Sequence, residues 1–190
     1  MLRRTAVAFG LGLAAFTIGW LMFMAAPGWF SRQPKQVAAA AAPAPPAPPG
    51  RKIKARLFYV SEDGARLTSV ERDIAYGEGT LEQAREIIAA QIAPVTAPLV
   101  SAVPPGTTIR ALFMTEEGDA YVDLSREVAT SHTGGTLDEI LTIYTIVNAL
   151  TANLPAITTV QLLVDGKEMD TLSGHVDLRR PLAKNLSWVQ

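Results

Sequence analysis

Between residues 53 and 60 apolar and polar positions alternate. Ala55, Leu57 and Tyr59 fall on one face, Lys54 and Arg56 on the other. A period of two predicts a strand. Ser61-Glu62-Asp63-Gly64 turns the chain, and residues 66–74 return as a second, less regular strand. The period then changes. Leu81, Ala84, Ile87, Ile88 and Ile92 keep helical spacing, and Pro94 stops that helix. Thr80-Leu81-Glu82-Gln83 reads as a capping box, with Gln83 reaching back to the Thr80 amide. Residues 95–108 hold Pro98, Pro104, Pro105 and Gly106 and read as a loop, pinned to the core by Leu99, Val100 and Val103.

Ile109, Ala111, Phe113 and Thr115 alternate again. A turn at Glu116-Glu117-Gly118-Asp119 sends residues 120–124 back beside them. After a polar loop at 131–135, Thr136-Leu137-Asp138-Glu139 reads as a second capping box, opening a helix to about Asn153. Its stripe comprises Leu137, Ile140, Leu141, Tyr144, Val147, Asn148 and Thr151, and Pro155 breaks it. Residues 159–164 form a β-branched strand, turned at Asp165-Gly166, with residues 167–171 pairing back. The stretch through Gly174, His175, Asp177, Leu178 and Pro181 is irregular. The order β-β-α-β-β-α-β predicts an α+β fold, a mainly antiparallel or mixed sheet with two helices on one face.

Ahead of this pattern the periodicity vanishes. Residues 6–26 carry no charge, and Thr17 is their only hydroxyl residue. A helix of that length spans about 30 Å, the thickness of a bilayer core. The run exceeds the core of a cleaved signal peptide. Residues 1–30 are therefore expected to form a single transmembrane anchor in the cytoplasmic membrane. Arg3 and Arg4 face Arg32 and Lys35 across it, and the amino terminus tips the balance towards a domain outside the cell. Residues 31–50 are rich in alanine and proline. Proline fixes φ and lacks an amide donor, so this segment is expected to be an extended spacer. Residues 51–190 make one globular domain of ordinary size.

Composition narrows the chemistry. The globular part keeps 13 of the 17 basic residues and all 18 acidic ones. That acidic balance disfavours nucleic acid as a partner. The absence of cysteine removes disulfides, thiol nucleophiles and Cys-type zinc sites. Only His132 and His175 offer imidazoles, each isolated among turn residues, so a hydrolytic triad would need distant partners. Glu116, Glu117 and Asp119 lie on a turn as solvated acids. Asp165, Glu168, Asp170 and Asp177 lack the spacing of a calcium loop. Gly134-Gly135 precedes a helix without a P-loop lysine and reads as a hinge. Arg72 is a ligand clamp or the partner of a carboxylate, and Asp123 is placed for such a pairing. No catalytic residue, metal or cofactor is expected.

The pieces taken together resemble a known family. Leu57-Phe58-Tyr59, Leu67 and Glu71-Arg72 are similar to the opening of a GerMN, or germane, domain. The resemblance continues through Val103-Pro104-Pro105-Gly106-Thr107, Ala120-Tyr121-Val122-Asp123-Leu124-Ser125 and residues 141–151. It ends with residues 160–167 and Gly174-His175-Val176-Asp177-Leu178. It covers nearly all of residues 53–182. Members resemble one another in being secreted or membrane-anchored bacterial proteins; some act in sporulation and germination, and some occur beside cell-wall amidase domains. The resemblance implies binding or assembly rather than catalysis. It implies an envelope protein or a second copy as partner, with peptidoglycan as the alternative ligand. The motif positions it marks, structural or binding, are Tyr59, Arg72, Pro104, Gly106, Asp123, Gln161, Asp165, Gly166, Gly174 and His175.

Overall fold

A computed structural model describes residues 50–190. The expected membrane anchor at residues 6–26 and the spacer up to residue 49 lie outside the described residues. Among the described residues no helix is long and apolar enough to cross a membrane.

The domain opens with the hairpin read from the sequence. β1 (Lys52–Val60) and β2 (Leu67–Ala75) pair antiparallel in unbroken register, from Lys52 opposite Ala75 to Val60 opposite Leu67. α1 (Gly79–Ile92) follows. A second hairpin joins β3 (Ile109–Met114) to β4 (Asp119–Leu124). Its turn is closed by Gly118 N donating to Thr115 O at 3.2 Å and Thr115 N donating to Asp119 O at 3.0 Å. Gly118 has φ +92°, and a β-carbon there would lie 2.8 Å from the Ala156 carbonyl oxygen, so only glycine suits the site. The short α2 (Glu127–Thr130) leads to α3 (Thr136–Asn153). β5 (Thr159–Val164) then lies parallel to β4, with α3 in the crossover. The two-residue strands β6 (Lys167–Glu168) and β7 (Leu182–Ala183) share the far side of β5, and a 3₁₀ turn at Leu186–Trp188 closes the chain.

The α+β class holds, with antiparallel and mixed pairing. The single sheet does not. β1 and β2 form a sheet of their own, and β3-β4-β5-β6, with β7 beside β5, form the other. α1 and α3 pack on one another, and both touch the larger sheet, α1 at β3 and α3 at β5. Both also touch the smaller sheet, α3 at β1 and α1 at β1 and β2. From Leu141 to Thr151 every α3 residue except Tyr144 is buried. A helix with apolar residues on all sides belongs inside. Ile143, Ile146, Ala149 and Leu150, off the expected stripe, are fully buried, while Leu137 and Leu81 are exposed.

Neither capping box forms. Glu78 and Gly135 occupy the N-cap positions without side-chain caps. Gln83 turns backwards instead. Its Oε1 accepts from Gly77 N at 3.0 Å and its Nε2 donates to Ala75 O at 3.2 Å. Residues 167–171 pair with β5 only at Lys167 and Glu168.

The free edge of β1 has an unusual solution. One edge pairs with β2, which leaves alternate peptides of the other edge facing the interior. The Gln91 amide from α1 accepts from Phe58 N at 2.9 Å and donates to Phe58 O at 2.7 Å. The Asn153 amide from α3 accepts from Arg56 N at 2.8 Å and donates to Arg56 O at 2.7 Å. Val60 N donates to Val100 O at 2.9 Å. Two side-chain amides and one bridge thus replace a third strand. A buried peptide group left without its partner costs about 1–3 kcal/mol. Gln91→Leu orphans both groups of Phe58 and is expected to lower stability by roughly 2–4 kcal/mol in urea unfolding. A loss below about 0.5 kcal/mol would show that this edge does not need the amide.

Candidate functional site

The ten motif positions do not converge. They fall into five separate places, four of which fix a piece of backbone, while Arg72 meets the Tyr59 hydroxyl.

The first is a corner around Asp123. A register shift in β3 between Ile109 and Ala111 throws Arg110 out of the ladder. Arg110 Nε donates to Asp123 Oδ2 at 3.2 Å and its Nη1 to Asp165 Oδ1 at 3.0 Å. Asp123 Oδ1 accepts from Gly166 N at 2.8 Å. Asp165 and Gly166 have φ +50° and +75°, as a two-residue primed turn demands. Asp123 is buried and Arg110 half-exposed, so this ion pair ties the β5–β6 turn to the centre of the sheet. Asp123, Asp165 and Gly166 are brought together here, and the arginine that joins them is Arg110, not Arg72.

Arg72 lies on the other sheet. Its Nη1 donates to the hydroxyl of the fully buried Tyr59 at 3.2 Å. Gln161, buried on β5, donates through Nε2 to the Leu178 carbonyl and holds the C-terminal segment against the sheet. Pro104 and Gly106 belong to a turn. Pro104 O accepts from Thr107 N and, at 2.7 Å, from Thr107 Oγ1, while Gly106 has φ +84°. Proline second and a positive-φ glycine third suit a type II turn.

The fifth place centres on Glu139, which sequence patterning assigned to a cap. Its side chain is fully buried. Oε1 accepts from the amides of Leu172 and Ser173, both at 2.9 Å. Oε2 accepts from His175 N at 2.9 Å and lies 3.0 Å from His175 Nδ1. Gly174, at φ +97°, lets the chain curl around the carboxylate. Burial pushes the Glu139 carboxyl up, and the Ser173 amide with the His175 ring and amide outweighs it, so the group sits below the ordinary glutamate range.

A cleft of about 300 Å³ opens between the β1 end and the start of α3. Val60, Val100, Val103 and Leu141 give it an apolar floor; Pro104, His132 and Asp138 also line it. His132 Nδ1 accepts from Gly134 N at 2.9 Å, which places the ring proton on Nε2. Nε2 faces Thr142 Oγ1 at 3.2 Å, and that hydroxyl donates to Ala102 O at 2.6 Å. Both ring nitrogens are therefore engaged in holding loops. His175 is likewise tied to Glu139. Among the described residues no group of three or more histidine or acidic side chains is placed to hold a metal ion.

The residues sequence reasoning missed are Glu139 as an anchor, Arg110, Gln91 and Asn153. Their signal was polarity at inward positions. Gln91 stands three and four residues after Ile88 and Ile87.

Glu139 generates a pH prediction. A depressed carboxyl contributes stability that is complete above the unfolded pKa, about 4.3, and is lost as pH falls through the folded value. Glu139→Gln is expected to cost roughly 2 kcal/mol at pH 7. The gap from the parent should narrow as pH drops below 4. A gap independent of pH in acid-range melting curves would contradict the anchoring role of the charge.

None of the curated proteins matches this chain. Solved structures that share its fold include two of bacterial origin. A Clostridium perfringens protein described as a lipoprotein has 22% identity and a TM-score of 0.50, covering 70% of this chain and 88% of its own. The tandem GerMN domains of the sporulation protein GerM from Bacillus subtilis have 18% identity and a TM-score of 0.52, covering 72% of this chain. This chain spans 46% of that two-domain structure. The model of the family described as "Germane: Sporulation and spore germination" matches residues 56–170, more than half of the sequence, so the chain belongs to the Germane family.

Proposed function

We propose that this protein is a membrane-anchored binding or scaffold module of the bacterial cell envelope, working outside the cytoplasmic membrane through protein–protein assembly and without catalysis. The observation that carries the reading is the inward use of its reactive side chains. Asp123, Glu139, His132 and His175 each hold backbone or a neighbouring side chain, and among the described residues no nucleophile, base and orienting group stand in sequence along a cleft. Membership of a sporulation and germination family supports an envelope role. The description of a structural neighbour as a lipoprotein supports tethering at a membrane. Here the tether is the apolar run at residues 6–26.

The cleft supports a second reading, a peptidoglycan-binding module. Its volume suits a short peptide or sugar, and Asp138 at its edge would meet an amine.

Crosslinking in intact cells followed by mass spectrometry is expected to return one envelope protein, or this protein itself, repeatedly. Alkaline carbonate should leave the chain in the membrane fraction, and protease added to spheroplasts should remove the domain. Digestion only after lysis would reverse the topology. Retention of the full chain by purified peptidoglycan, abolished by Val103→Asp in the cleft, with nothing captured by crosslinking, would replace the first reading with the second.

A further inference from the structure

Two sheets expose four edges, and three carry a device that blocks another strand. The second edge of β1 is closed by Gln91, Asn153 and the Val100 bridge. The free edge of β2 presents exposed Glu71, Arg72 and Asp73, and its start is bridged by Val189, with Gln190 N donating to Leu67 O at 2.9 Å. At the far end of the larger sheet, β6 and β7 are two residues each. Short strands, charges and covering segments are the usual protections of an edge.

β3 is neither short nor charged beyond the bulge at Arg110, although α1 packs against it. It ends its sheet with six residues, and its outward amides and carbonyls meet no backbone partner among the described residues. From Ala111 to Met114 it carries no charge. Phe113 is 59% exposed and Met114 38% exposed. Phe113 stands opposite Tyr121 on β4, so an aromatic pair continues onto the outer face of the sheet. The cation on this strand, Arg110, is turned towards Asp123 and Asp165.

We infer that β3 is an assembly edge and that its occupant is the β3 strand of a second copy of this chain, paired antiparallel about Leu112. This deepens the assembly reading above and rests on it. The strand suits itself. Centring on Leu112 sets Phe113 of each copy opposite Ala111 of the other, a large side chain over a small one on the outer face. No like charges oppose one another within residues 111–113. A two-fold pairing is closed, so it yields a dimer and not a fibre. Main-chain hydrogen bonds supply the affinity and the Phe113–Ala111 fit supplies the register.

The absence of native cysteine makes a direct test possible. Full-length chains bearing Ala111→Cys and Phe113→Cys under different tags are co-expressed, and mixed disulfides are counted after mild oxidation. The yield should exceed that of an Asp73→Cys pair on β2 at least tenfold. In parallel, the detergent-solubilised full chain should have a dimer mass by light scattering. Ala111→Lys, an exterior edge charge, should return it to monomer with an unchanged circular dichroism spectrum. A monomeric parent chain, or a dimer indifferent to Ala111→Lys with no excess of mixed disulfide, overturns the inference. Attachment of position 113 to a different protein also overturns it while leaving the assembly reading standing. Loss of every crosslinked partner in cells would remove both.

Discussion

A two-stranded hairpin cannot lie against a core with one edge open. β1 is buried on both faces at Leu57, Phe58 and Tyr59, so water cannot serve the second edge at Phe58. The Phe58 peptide must find its partners inside the protein, and the more exposed Arg56 peptide is paired in the same way. Gln91 and Asn153 supply them from two different helices, and each bonds both the N–H and the C=O of one residue. The spacing follows from strand geometry. Residues 56 and 58 are one pleat period apart, about 7 Å, and α1 and α3 each deliver one amide to that edge. Side-chain amides therefore fix how both helices sit on the hairpin. The same device recurs at the other end of the domain, where Asn148 bonds both the N–H and the C=O of Asn185.

From that constraint the central position of α3 follows. Asn153 ties its last turn to β1, Asn148 ties its middle to the C-terminal segment, and Glu139 ties its first turn to the loop at residues 172–175. The three polar residues point in different directions from a helix that is otherwise apolar all round. Apolar burial alone is non-directional and would let such a helix slide or rotate. Fully satisfied buried polar contacts set the register instead. Thr145 Oγ1 is the one buried side-chain polar atom among the described residues that lacks a partner, and the structure offers no account of it.

Much of this was legible in the chain. Period-two segments at 53–60 and 109–124 became hairpins because their alternation, turns and glycines all agree. The 81–92 helix kept the inward positions of Ala84, Ile87 and Ile88. What was not legible has a common physical origin. Thr136 to Glu139 has the spacing of a capping box, yet a glutamate in a first helical turn can reach back to its own cap or across to a distant loop, and local spacing does not separate the two. Three amides from residues 172–175 outcompete one local amide. Whether two hairpins join one sheet or two depends on partners far along the chain, which alternation does not encode. Burial on every side of α3 was present as apolar Ile143, Ile146, Ala149 and Leu150 off the chosen stripe, and a single-stripe reading set them aside. At the motif positions the residue types were right for pairing, but Asp123 met Arg110 because a bulge re-aimed that side chain.

These contacts also bear on what kind of protein this is. Catalytic groups keep a lone pair or a proton available to a substrate. Here His132 engages both ring nitrogens and His175 one, and the buried carboxylates and buried amides hold their own chain, with Tyr59, Gln161, Asp165 and His175 among the clamps. Their chemistry is that of a rigid frame. A rigid frame can still present surface: a small apolar-floored cleft near Val103 and an uncharged strand edge ending at Phe113. Of the two, the edge offers directional hydrogen-bonding groups in a row, and a row of such groups on a rigid support recognises another strand by backbone geometry before any side chain is read.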